Sequence, residues 1–206
     1  MKILVIGDSC IDEFIYCDIE RICPEAPVPV LKPVKSQQNP GMAANVVINL
    51  ESLGAEVDIA TNTFEIKKTR YVDIRSGQMV LRVDENDSCE KYDGILDTKK
   101  QLGEWCKDID FIKINEFEHK KNFEKIPNYP FILDKMIVTI GSKGCKYKDE
   151  IYPVPEVSVK DVSGAGDTFL AALVVAYLKN NDIKTAITFA NECATKVVQK
   201  RGVATI

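Results

Sequence analysis

The stretch "DVSGAGDTFLAALVVAYL" (residues 161–178) sets two glycines and one acid, Asp167, directly ahead of a long apolar run. The run reads as a helix from about 165 to 179 that is apolar nearly all round, the pattern of a buried helix. The first N–H groups of a helix lack internal partners, and the dipole makes that end partly positive. Gly164 and Gly166 carry no side chains, so an anion can come close to those amides. The segment lacks the Gly-Lys-Ser/Thr ending of a phosphate loop and has Asp167 where that lysine would stand. An acid in an anion-binding turn needs a different task. Taking the proton from a hydroxyl that attacks a bound phosphate is one. The alternative is structural: Ser163 caps the helix and Asp167 complements its dipole, worth roughly 0.3–1 kcal/mol.

Outward from this helix, the chain alternates strands and helices, which argues for an α/β layered fold. "KILVIGD" (2–8) suits a buried parallel strand ending at a site. "GMAANVVINLESLG" (41–54) is a helix closed by Gly54, and "AEVDIAT" (55–61) is a second core strand. Residues 13–34 carry prolines at 24, 27, 29 and 33 and suit an edge strand or extended flap. Residues 67–84 alternate as a hairpin about "SG". Flap and hairpin together predict a small β-sheet standing off the core, with lid segments at about 13–36 and 66–85 of a single domain. "FIKIN" (111–115) and "KMIVTIG" (135–141) are further strands, "KGCKYKDEIYPVP" a hairpin-like excursion, and a last helix with a one-sided apolar stripe begins near Ile183.

Composition narrows the function. Of 206 residues, 27 are basic and 31 acidic, a net charge of −4, which argues against nucleic acid as the main partner. No apolar run approaches membrane-spanning length, and the N-terminus does not read as a signal peptide. Seven cysteines without a C-x-x-C pair, and a single histidine, make a zinc site improbable. Reduced thiols and a cytoplasmic location are expected.

The stretch "DVSGAGDTF" before an apolar helix resembles the Asp-Thr-x-Gly-Ala-Gly-Asp signature of the ribokinase-like (PfkB) sugar kinases. Other parts follow in family order. "GDSCIDEF" is similar to the first strand with its sugar-binding acid, "GMAAN" to the Gly-Gly-x-x-Asn helix start, "NEFE" to the Asn-x-x-Glu motif, and "TIGSKG" to the turn before the nucleotide site. Within the family, "ERICPEAPVPVLK", "KTR…QMVLRVDEND" and "DTKK" are most similar to the kinases of heptose 7-phosphate. The resemblance implies a ribokinase-like layered fold with a mostly parallel central sheet, flanking helices and a β lid. It implies ATP and Mg²⁺ as cofactors, a sugar phosphate as substrate, and a homodimer through the lid. Asp167 would be the catalytic base, with Gly164, Ala165 and Gly166 as the anion hole. Asp12, Gly41 and Asn45 would hold sugar hydroxyls, and Lys68 and Arg70 a substrate phosphate. Asn115 and Glu118 would order the magnesium shell through water. Lys99 and Lys113 are candidates for phosphate neutralisation, each equally readable as a solvated lysine. Asn191 and Gly202 fall where the family lines its adenine pocket.

The chain also departs from the pattern. It is shorter than family kinases after "DIATNT" and between "YDGIL" and "DTKK". Met42 replaces the second glycine of the Gly-Gly pair, and Ile114 replaces a proline. Fewer strands predict an exposed apolar patch on a monomer. The alternative function is a shortened relative that binds nucleotide or sugar phosphate with little or no transfer.

Overall fold

The structure, a computed structural model, describes residues 2–87, 102–124, 126–200, 202 and 205–206. Lys99 and the "DTKK" segment lie outside the described residues. Among those described, a two-stranded parallel sheet joins β1 (Lys2–Ile6) to β4 (Glu56–Ala60), with Ile3 opposite Val57 and Val5 opposite Ile59. A second sheet runs in the order β10-β9-β8-β7. In it β7 (Ile112–Asn115) and β8 (Met136–Thr139) are parallel, while β9 (Cys145–Tyr147) and β10 (Glu150–Tyr152) form the antiparallel hairpin expected from "KGCKYKDEIYPVP".

The lid is a third sheet, ordered β3-β2-β5-β6, made of β2 (Ser9–Asp18), β3 (Lys32–Met42), β5 (Lys67–Asp73) and β6 (Met79–Glu85). Its proline-rich part differs from the expectation. Residues 19–31 form a loop pinned by one bridge, Ile22 to Pro29. The flap strand is instead β3, eleven residues that run on to Met42. Pro33 and Pro40 are tolerated there because β3 is an edge strand whose outer side needs no donors.

Among the described residues four α-helices pack on these sheets: α1 (Ala43–Ser52), α2 (Glu116–Asn122), α3 (Ala165–Asn180) and α4 (Ile183–Val197). The all-round apolarity of α3 has a direct cause, because it contributes to two cores at once. Ala171 and Val175 meet Val46 and Leu50 of α1, with Ile3, Val5 and Val57 beneath. Phe169, Leu173 and Ala176 meet Ile187, Ala190 and Cys193 of α4 and Ile137 and Tyr147 of the second sheet. The other face of β7 and β8 buries Ile112, Ile114, Met136 and Val138 against Leu102, Cys106, Ile126 and Ile132. By contrast, the outer face of β1 is open, with Leu4 60% and Ile6 38% exposed.

Helix α1 ends cleanly and begins under strain. Gly54, at φ 82°, donates to Glu51 O while Ala55 N–H donates to Leu50 O, the paired bonds of a glycine C-cap. At the other end Met42 has φ 57° and ψ −128°, with no side-chain cap on the helix. This left-handed backbone is costly for any residue with a Cβ, on the order of 1–3 kcal/mol. Met42→Gly should therefore stabilise the fold by about 1 kcal/mol and raise the thermal midpoint by roughly 2–4 °C. A melting curve followed by circular dichroism checks this, and an unchanged or lower midpoint would contradict it.

Candidate active site

Three elements converge on Asp167. The turn before α3 is shaped by Asp161, whose carboxylate accepts from Ser163 N–H at 2.8 Å and from Gly202 N–H at 3.0 Å. The helix N-cap is Gly164, in the left-handed region at φ 78°, with no side-chain cap. The structural alternative for Ser163 is thus not what the helix uses, and glycine at 164 answers a backbone need. Of the three amides expected to form an anion hole, that of Ala165 is given to Val162 O at 3.2 Å. The amides of Gly164 and Gly166 flank it. Asp167 sits in the first turn, half-buried, and accepts from Asn45 Nδ2 at 2.9 Å.

Lys113 comes from β7 and lies against the same turn, since a Cβ on Gly166 would stand 3.0 Å from its Nζ. Glycine at 166 thus lets a cation and an amide share one place. Burial pulls the Lys113 ammonium down from the usual lysine range, while Glu118 and Asp167 hold it up. Burial likewise pushes the Asp167 carboxyl above the ordinary aspartate range, opposed by the Asn45 hydrogen bond and by Lys113. A carboxylate with raised affinity for a proton, beside a cation and open amides, is equipped to act as a base.

Asn115 and Glu118 sit at the start of α2 and form a capping box. Asn115 Oδ1 accepts from Glu118 N–H at 2.9 Å, and Glu118 Oε2 accepts from Asn115 N–H at 2.8 Å. One oxygen of Glu118 is therefore committed to the fold. Among the described residues no three His, Cys, Asp or Glu side chains gather in a metal-binding cluster. A single carboxylate beside an amide fits a magnesium ion carried mainly by phosphates and water.

The third sheet brings Asp12 and Lys68 within electrostatic reach of Asp167. Asp12, 7% exposed, is ion-paired with Arg70, whose guanidinium lies over the Phe14 ring at 5.2 Å. Arg70 is thus already engaged, and Lys68 pairs with Asp87 at 3.5 Å. Arg82, which the sequence reading did not single out, stands directly opposite Arg70 in the ladder and forks onto Asp84 at 2.7 and 2.9 Å. Strand alternation could have found it, because 70 and 82 face each other across the "SG" hairpin. Gly41 lies against Asp12, and a Cβ there would overlap the Asp12 carboxylate and the Cys10 sulfur.

Beside Gly166 opens a cavity of about 540 Å³, lined by Thr139, Gly141 and Ser142 on one side and Ala194, Thr195 and Val198 of the α4 end on the other. Asn191 lines it and is fixed by donating to Tyr152 O at 2.9 Å. Gly202 does not line it. Sequence reasoning missed the apolar wall made by Val154, Pro155, Val157 and Val159, an extended segment with no strand partner.

Residues 88–206 match the pfkB family of carbohydrate kinases. The chain belongs to that family, one of phosphotransferases. The chain is 29% identical to the bifunctional protein HldE of Nitratiruptor sp., over 289 aligned positions covering 99% of this chain and 63% of that protein. It is 28% identical to HldE of Helicobacter pylori strain J99, over 98% of this chain and 63% of the relative. The chain thus spans under two thirds of the length of these relatives. Solved structures share the fold: a Thermotoga maritima ribokinase (TM-score 0.69, 17% identity, 97% of this chain and 93% of that one) and a Methanocaldococcus jannaschii nucleoside kinase (0.69, 18%, 98% and 93%). An Arabidopsis thaliana ribokinase solved with ribose and ATP superimposes at a TM-score of 0.63, with 16% identity and 97% and 93% coverage. An alignment of 289 positions against 206 residues agrees with the internal shortening of this pfkB chain.

Gly41→Ala would push the Asp12 carboxylate aside without touching the 540 Å³ cavity. If Asp12 holds a sugar hydroxyl, the sugar KM should rise roughly tenfold or more, about 1.4 kcal/mol of lost binding, with ATP affinity by calorimetry unchanged. An unaltered sugar KM would show that Asp12 is not a sugar contact.

Proposed function

We propose that this chain transfers the γ-phosphoryl group of ATP to a hydroxyl of a phosphorylated sugar, of the heptose 7-phosphate kind. The observation that carries the reading is Asp167 itself: a half-buried carboxylate at a helix start, oriented by Asn45, with Lys113 against Gly166 and a 540 Å³ cavity alongside. The similarity to HldE supports the sugar class, and so does the lid, where Lys68, Arg70 and Arg82 are strand neighbours beside Asp12.

On this reading the adenine lies against Val154–Val159 and Asn191, and the phosphates point to the α3 turn. Bound ATP with Mg²⁺ supplies the phosphoryl group and part of the charge neutralisation. Glu118 and Asn115 would hold water around a bound magnesium ion, with the Glu118 oxygen not used in the capping box. Lys113 and the Gly164 and Gly166 amides face the charge that grows on the transferred oxygens. Asp12 and Gly41 seat the sugar, and Asp167 takes the proton of the attacking hydroxyl. No helix among the described residues is long and apolar enough to cross a membrane. A second copy would meet the lid along β6, an edge strand whose every residue is exposed, Met79, Leu81 and Val83 included.

The second reading, nucleotide or sugar-phosphate binding with little transfer, is favoured by the strained Met42 at the sugar side and by the internal shortening. ADP release measured over a panel of sugar phosphates separates the two. Sugar-stimulated release supports transfer, and ATP binding without it supports the second reading. Asp167→Asn should lower turnover by roughly 10²–10⁴-fold with nucleotide binding kept, and unchanged turnover would refute the assignment. The pH dependence has a definite sign. A base whose affinity for protons is raised by burial loses activity as pH falls through that raised value, so the acid limb of kcat/KM should lie above the ordinary aspartate range of about 3.9.

A further inference from the structure

Behind the candidate base runs a chain of buried amides. Asn45 and Asn49 stand one turn apart on α1 and are 2% and 0% exposed. Asn49 Nδ2 donates to the main-chain oxygen of Asn45 at 2.8 Å and to Asn45 Oδ1 at 3.2 Å. Asn49 Oδ1 accepts from the hydroxyl of Thr168, the buried neighbour of Asp167, at 3.1 Å. Leucine would fill the same space without the desolvation cost of a carboxamide, so these polar groups need a reason to be there.

Their direction is dictated by one atom. A backbone carbonyl oxygen can only accept, so the Asn49 atom facing it must be the NH₂ group, because the reverse flip would oppose two oxygens. Asn45 then faces a donor and must present Oδ1 to it. Its own Nδ2 is left for Asp167, which it reaches at 2.9 Å.

We propose that Asn49 is a positioning residue that locks the flip of Asn45, compels Asp167 Oδ2 to accept, and so reserves Oδ1 for the substrate proton. Without Asn49 the Asn45 carboxamide is free to present its oxygen instead, an arrangement that suits a protonated acid. The other groups facing Asp167 are Lys113 from β7, Asp12 and Cys10 from β2, and Lys68 from β5. None of them is among the hydrogen-bond partners of the Asn49 side chain, which are Asn45 and Thr168. The inference rests on the kinase reading for its catalytic meaning, but not for its test.

The test compares Asn49→Leu and Asn49→Ser with Thr168→Val. In each Asn49 variant that retains a cooperative thermal transition, the acid limb of kcat/KM should move up by about one pH unit, the scale of one hydrogen bond to a charged group. The KM for ATP should stay within about twofold, which a loosened fold would not produce. Thr168→Val removes a methyl-sized hydroxyl but leaves the backbone carbonyl to orient Asn49, so its acid limb should stay within about 0.3 unit of the parent. A limb that stays put in a folded Asn49 variant, or moves as far in Thr168→Val, overturns the proposal. Carbon-13 NMR titration of the Asp167 carboxyl, identified by its loss in Asp167→Asn, should report the same shifts without turnover. An inactive parent would thus count against the kinase reading while the titration still decides the role of Asn49.

Discussion

The bond from Asn45 Nδ2 to Asp167 Oδ2 spans 122 residues of sequence and ties the first turn of α1 to the first turn of α3. It forms only if the two helices approach closely at one end. The packing below it secures that approach. Ala171, fully buried, and Val175 (1% exposed) face Val46 and Leu50, so small or compact side chains line the α3 side of the contact. A larger residue at 171 would spread the helices and carry the two N-termini apart, an overpacking cost of the kind close-packed cores resist. Hydrophobic packing of two helices is therefore what places a carboxylate, an amide and two helix N-termini at a single point.

This arrangement also explains how a chain shorter than its aligned relatives can keep a coherent site. Asp167, the Gly164 and Gly166 amides, Lys113 and the 540 Å³ cavity depend on α3, α4 and the second sheet, whose buried clusters are continuous around Ile137 and Phe169. Asp12, Gly41 and Lys68 depend on the lid, where β2 is paired along its length on both sides. The β1–β4 pair is covered on one side. Its inner face packs on α1 and α3, whereas its outer face shows Leu4 and Ile6 to solvent beside the exposed Lys2–Asp58 pair. Such a pair contributes little, so the two strands are held from one side.

How much of this could be read in the chain follows from how local each cause is. The α3 helix and its glycine turn are set by residues a few positions apart and stand where the sequence put them, whereas the Asn115–Glu118 capping box, equally local, was read only as a magnesium motif. The antiparallel β9–β10 hairpin is legible for the same reason. The prolines pointed to an edge strand or flap within 13–34, but the edge strand is β3 (Lys32–Met42), because where the chain turns back to pair with β2 is a tertiary fact. Met42 was noted as the replacement of a family glycine, and what the structure adds is its left-handed backbone. The cavity wall at Val154–Val159 makes no ladder bonds and so carries no periodic signal. Asn49 looked like one polar residue in an apolar helix, and its partners, Asn45 and Thr168, become visible only once α1 and α3 are side by side.

The lid face carries the argument one step further, toward the substrate. Lys68, Arg70 and Arg82 are balanced by Asp87, Asp12 and Asp84, so each cation has an acid as partner. Asp12 and Arg70 are both nearly buried, and separating them for a neutral hydroxyl would leave a desolvated guanidinium uncompensated. On the proposed kinase reading, an anionic group on the substrate would remove that penalty, because it could take the guanidinium as Asp12 turned to a sugar hydroxyl. Exchange of one partner for another of the same sign costs far less than breaking the pair outright. On that reading the paired charges of this sheet would favour a sugar that already carries a phosphate over one that does not.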